Sequence, residues 1–133
     1  MTPLEMIRAN AELAVQSARE RLGLSLSFDR AGVEWLDGHL NRLHGRLPSE
    51  VQAGVVNVMG SFLGECIVRS HGGEWIEKSA EWLVQVKRAY TVSVNVFGKV
   101  EKQLAGIEGE SVLSLYDFLL EVAENGNSTA ARK

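Results

Sequence analysis

The chain of 133 residues holds one cysteine, Cys66, so no intrachain disulfide can form. Because Cys66 falls inside an apolar helical pattern, it reads as a small hydrophobe in a reducing compartment. Basic residues are also in short supply. Fourteen Lys and Arg against seventeen Asp and Glu give a formal charge of -3, which lacks the positive footprint that counterion-release binding to nucleic acid needs. No stretch reaches the ~18 uncharged apolar residues of a membrane span. Glu5, Arg8 and Glu12 interrupt the place where a secretory leader would be apolar. The expectation is a cytoplasmic protein with neither nucleic acid nor membrane as partner.

Signature motifs are missing as well. There is no glycine-rich phosphate loop, paired-cysteine zinc pattern, HExxH motif or GxSxG elbow, so neither a metal nor a cofactor is expected. His39 and His44, five apart, miss the i,i+4 spacing that would aim two ligands from one helix face. They read as solvated or capping residues.

What is present is globular composition, 45% hydrophobic and 23% charged, enough for one domain with its own core. Thr2-Pro3-Leu4-Glu5 is a capping box with proline at the first helical position. It opens a helix over 3–22 whose alanine-rich stripe ends at Gly23. Leu24 to Phe28 alternates too briefly to separate a strand from an extended connector. Asp29 caps a second helix carrying Val33, Leu36, Leu40 and Leu43, ended by Gly45. Ser49, with Gln52 three residues on, reads as the cap of a third helix over 50–70.

That third helix is the centre of the pattern. Val51, Val55, Val58, Met59, Phe62, Cys66 and Ile67 form a wide apolar face, and Ala53, Asn57, Gly60 and Gly64 a second stripe of small residues. Glycine costs about 1 kcal/mol relative to alanine inside a helix, so Gly54, Gly60 and Gly64 call for close packing by another backbone. A homodimer through Gly60 and Gly64 is the alternative use of the same stripe.

His71-Gly72-Gly73 breaks the helix and permits a tight reversal. A strand at Trp75, a turn at Ser79-Ala80, and alternating runs at Trp82-Val84-Val86 and Tyr90-Val92-Val94 follow. Phe97, Val100 and Leu104 mark a short helix ending at Gly106. Ser111 caps a last helix carrying Val112, Leu115, Tyr116, Leu119 and Val122, stopped by Asn125-Gly126. The fold class expected is α+β, with about five helices packed on one face of a three-stranded antiparallel β-meander. Residues 1–126 form the single domain, and 127–133 read as a disordered tail.

Four residues stand out as binding candidates: Glu65, His71, Trp75 and Asn95. Burial would raise the pKa of Glu65 toward acid/base use, whereas pairing with Arg69 at i,i+4 would make it structural. His71 is a base or ligand candidate, or a positive cap at the helix end. Trp75 suits core or platform equally. The polar strand face of Gln85, Lys87, Thr91, Ser93 and Asn95 resembles an interaction surface.

The segments Gly60-Ser61-Phe62-Leu63-Gly64-Glu65-Cys66-Ile67, Gly72-Gly73-Glu74-Trp75 and Val94-Asn95-Val96-Phe97-Gly98-Lys99-Val100 resemble small bacterial domains of the DUF3806-like family. This sequence has Val96 where that pattern favours proline. The resemblance implies a bacterial α+β domain and carries over no established activity. On these grounds the expected function is a non-enzymatic protein-interaction module. The alternative is an enzyme or small-molecule binder with a pocket around Glu65.

Overall fold

A computed structural model describes residues 1–126; the tail expected at 127–133 lies outside the described residues. Five helices and three strands follow one another as α1 (Pro3–Leu22), α2 (Arg30–Leu43), α3 (Ser49–His71), β1 (Glu74–Lys78), β2 (Glu81–Lys87), β3 (Thr91–Val94), α4 (Val96–Leu104) and α5 (Val112–Asn125). The class is α+β, as expected.

Local chemistry sets most boundaries. Thr2 and Glu5 close a reciprocal capping box, and Gly23 ends α1 at φ 66°. Asp29, Asn95 and Ser111 each accept a backbone N–H at the start of α2, α4 and α5. The cap expected at Ser49 is a correction. Pro48 is the N-cap, without a side-chain bond, and Ser49 is already helical. The Pro48 ring fixes φ near helical values and its carbonyl accepts from Val51 N at 3.1 Å. Leu24 to Leu26 belong to no strand and run as a connector.

The sheet is an antiparallel meander in the order β1-β2-β3. Trp75 pairs with Val84, which pairs in turn with Val94, while Val86 pairs with Val92. These residues face the helices. Glu74, Gln85 and Ser93 form a row on the opposite face, where the Lys87 ammonium lies 3.6 Å from Glu74. Tyr90, expected to continue the β3 alternation, precedes the strand and is exposed. Its N–H donates to the Ala123 carbonyl instead, tying the β2–β3 turn to α5. Ser79 and Ala80 alone connect β1 to β2, both in the left-handed region at φ 53° and 64°.

The core is one continuous cluster running from α1 through α2 and α3 to the sheet and α5. α3 is its axle. Every residue from Gly60 to Ile67 is buried, so two full turns have no solvent face. By length and composition α3 could also cross a membrane, with mean hydropathy 1.4 over its most apolar window, of which 44% is buried in the fold. The remainder of that window, toward Ser49, lies nearer the surface.

Candidate functional site

Burial on all sides decides the environment of Glu65, which is 2% exposed. A buried carboxylate is tolerated when both oxygens find donors, and here both do. Arg69 Nε donates to Oε1 at 2.9 Å, and Trp75 Nε1 donates to Oε2 at 2.8 Å. The Arg69 guanidinium reaches outward, 3.9 Å over the Phe28 ring and 3.5 Å from Glu12. Glu65 thus makes the i,i+4 pair with Arg69 that the spacing offers, and does so as a buried acid with a second donor in Trp75.

Trp75 settles onto α3 because Gly64 has no side chain. A Cβ there would lie 2.1 Å from the indole ring. Phe97 does the same at Gly60, and the two rings stack with centroids 5.9 Å apart. Gly60 and Gly64 are therefore covered from within the chain, by rings rather than by the backbone anticipated. Ala53 and Asn57, farther along the stripe, are exposed, and the space beside Gly54 is open.

The other candidates lie apart from Glu65. His71 is buried against Tyr116, with ring centroids 4.2 Å apart, and donates from Nε2 to the Tyr116 carbonyl at 3.2 Å. It does not cap α3. Gly72, at φ 72°, is the C-cap, and Arg88 Nη2 donates to the His71 carbonyl at 2.6 Å. Beside it, Ser70 hydrogen-bonds both the Tyr116 hydroxyl and the Cys66 carbonyl. Burial pushes the Cys66 thiol far up, consistent with an inert core residue. Asn95 accepts from Gly98 N at 3.0 Å and caps α4, whose first residue is the fully buried Val96. Proline at this first helical position would serve the same turn.

Among the described residues, Glu65 lines none of five cavities that lie along α3 and α4. A groove of about 550 Å³ separates α1 from the outer half of α3, with Leu13, Val51, Val55, Val58 and Met59 on its walls. Another of about 420 Å³ lies between β3, α4 and α5, with Lys99 and Lys102 at its edge. A third, of about 330 Å³, opens where α1, α3, β2 and α4 converge, between Met6, Ile7, Trp82 and Phe97. Ser61 lines that third cavity. Its hydroxyl is fully buried and has no hydrogen-bond partner among the described residues, a state that costs ~1–3 kcal/mol.

No protein-family model, curated protein or solved structure matches the chain. Among the described residues, no three His, Cys, Asp or Glu side chains gather as a metal site would require.

Sequence reasoning passed over two buried polar residues. Gln103 is 3% exposed and joins three elements. It donates to the Asp37 carbonyl and carboxylate and to Asn41, and accepts from Val112 N at 2.8 Å. Asp37 also accepts from Ser111 Oγ at 2.8 Å. The Gln103 partners on α2, Asp37 and Asn41, are more than sixty residues away in sequence, so no helical spacing announces them. Ser61 had a weak signal: it stands four residues after Asn57, a polar pair on one face of an apolar run.

Proposed function

We propose that the protein is a non-enzymatic interaction module that receives an amphipathic helix of another protein in the groove between α1 and the outer half of α3. One observation carries this reading. Apolar side chains recur along α3 from Val51 to Val68, yet Val51 is 42% exposed and Leu13, across the groove, is 45% exposed. Apolar side chains left uncovered along two adjacent helices suit the helix-in-groove mode of recognition. Ala14, Ser17 and Gly54 line the groove with small side chains, which lets a third backbone approach closely. Arg21 and Glu50, one of each sign, stand on the lining and would set the orientation of the incoming helix.

The test uses a photo-cross-linking residue at Val51 in cells, with the same residue at Gln85 on the outer sheet face as control. Support requires one protein captured from Val51 and not from Gln85. It must re-form a stoichiometric complex with the purified chain, and lose it in Val55→Asp. Capture from Gln85 instead, absence of a reconstituted complex, or self-association lost in Val55→Asp would each overturn the reading; the last would make the groove a homodimer face.

A further inference from the structure

The edge of the sheet at β1 carries a two-fold pattern, and we infer that it pairs with β1 of a second copy of the chain, antiparallel and centred on Ile76, to make one continuous sheet through both copies. β1 stands at the end of the strand order and pairs with β2 alone. Its other side therefore presents a row of backbone N–H and C=O groups. The turn fixes which ones. Lys78 and Glu81 flank the two-residue Ser79-Ala80 connection, whose φ values of 53° and 64° are those of a type I′ hairpin, so they form a hydrogen-bonded pair. Bonded and non-bonded pairs alternate along an antiparallel ladder, which turns the backbone groups of Lys78, Ile76 and Glu74 toward β2 and those of Trp75 and Glu77 outward.

That alternation restricts how a second β1 can dock. Outward groups must meet outward groups, and the register that achieves this with the whole strand overlapped sets Trp75 of each copy opposite Glu77 of the other. Each such pair exchanges both backbone hydrogen bonds. Ile76 then meets its own counterpart on the two-fold axis, as an isologous contact requires. A slip of one residue would set outward groups against inward ones.

The side chains fit the same register. Glu74 and Lys78 are equally spaced about Ile76, so each Glu74 falls opposite Lys78 of the other copy, in the non-hydrogen-bonded position where side chains approach most closely. Both are exposed. Lys87, 3.6 Å from Glu74, and Glu81, paired with Lys78 across the hairpin, are the neighbouring charges of the same chain. The apolar residues converge on the same axis. Ile76 and its partner Leu83 are half-buried on the outer face of the sheet, and in the pair they continue into Ile76 and Leu83 of the second copy as one apolar row. At the other end of the sheet, Thr91–Val94 of β3 holds no charged residue and offers no such complement. A seam of one short strand from each copy is small beside the interfaces of stable dimers, so a dissociation constant of about 10–100 µM is expected.

Sedimentation of the purified chain at concentrations up to about 1 mM tests the inference. A reversible monomer–dimer equilibrium is expected, with the amide resonances of Trp75 and Glu77 shifting as concentration rises. Glu74→Lys and Lys78→Glu should each weaken self-association by about tenfold, since each sets like charges at both ends of the seam. An equimolar mixture of the two variants should associate about as tightly as the parent chain, because every like pair becomes an opposite pair again. Circular dichroism checks that these exposed substitutions retain the fold. Val55→Asp, in the helical groove, should leave this dimer unchanged, which separates it from the docking reading. A chain monomeric at about 1 mM, single variants that self-associate as the parent does, a mixture that stays monomeric, or a dimer lost in Val55→Asp would each overturn the inference. In the first case the charges of β1 guard the edge against pairing instead of directing it.

Discussion

The indole nitrogen of Trp75 donates to Oε2 of Glu65 over 2.8 Å, and this bond fastens the first strand of the sheet to the central helix. It forms only because Gly64, one residue before Glu65, leaves room for the ring. A glycine and an acid in sequence thus act together on one aromatic side chain.

Glu65→Ala should destabilise the fold by about 2–3 kcal/mol, since the Trp75 N–H would be left buried and unpaired. Arg69 is half-exposed, so its charge would be rescued by water rather than stranded. Glu65→Gln keeps one carbonyl acceptor for Trp75 and should cost only about 1 kcal/mol. Urea denaturation followed by tryptophan fluorescence measures both. Equal loss in the two variants would show that the charge, not the acceptor, is what Trp75 and Arg69 require.

Two glycines of the same helix should respond in opposite directions. Gly64→Ala puts a Cβ into the Trp75 ring and should cost more than about 2 kcal/mol. Gly54→Ala meets nothing within 4 Å and should stabilise by about 0.5–1 kcal/mol, through helix propensity alone. Thermal unfolding of both variants provides the comparison. The same Gly54→Ala change narrows the proposed docking groove, so a partner's affinity should fall while stability rises.

The β1–β2 turn is a second place where a substitution should stabilise. Ser79 and Ala80 both hold positive φ, and a left-handed non-glycine residue costs roughly 1–2 kcal/mol. Ser79→Asn together with Ala80→Gly supplies the residues this two-residue turn prefers. A gain of about 1–2 kcal/mol in denaturant midpoint experiments is expected. A loss would mean that the turn conformation differs in solution.

These cases show where the sequence is readable. Thr2, Asp29, Ser111 and Gly72 act on neighbours a few residues away, and their roles follow from spacing alone. The Ser79-Ala80 turn and the alternation of Trp82, Val84 and Val86 are equally local. Ser49 was misread because serine at a helix start is ambiguous between cap and first helical residue, and Pro48 settles the matter through its own backbone. Gly60 and Gly64 announced close packing without naming Phe97 and Trp75, since rings from other elements leave no mark on the helix pattern. The Ser61 cavity draws on four elements and could be seen only after they were assembled.

Gln103 tests how much a buried polar hub contributes. Gln103→Leu fits the volume but strands the Val112 N–H and removes a donor from Asp37 and Asn41. The expected loss is about 2–3 kcal/mol. Amide hydrogen exchange should localise it: Val112 and the first turn of α5 should lose protection before α1 does. Uniform loss across the chain would mean that α5 does not open separately.

His39 links stability to pH with a definite sign. Its ring is half-buried and stacked on Trp35, centroids 4.5 Å apart. Burial, aided by the nearby Arg42 charge, holds its pKa below the ordinary 6.5. In the unfolded chain the imidazole therefore takes up a proton at higher pH than in the fold. As pH falls below about 6.5, the unfolded state binds more protons and stability drops, until the folded pKa is passed and the difference is complete. Above 6.5 both states are neutral and His39 contributes no slope. His39→Gln should flatten stability against pH in this window, and Arg42→Gln should move the folded titration upward, as read from the His39 ring resonances. A His39 titration at or above 6.5 would show that the stacked ring is hydrated, and the acid-side loss of stability would then come from other groups.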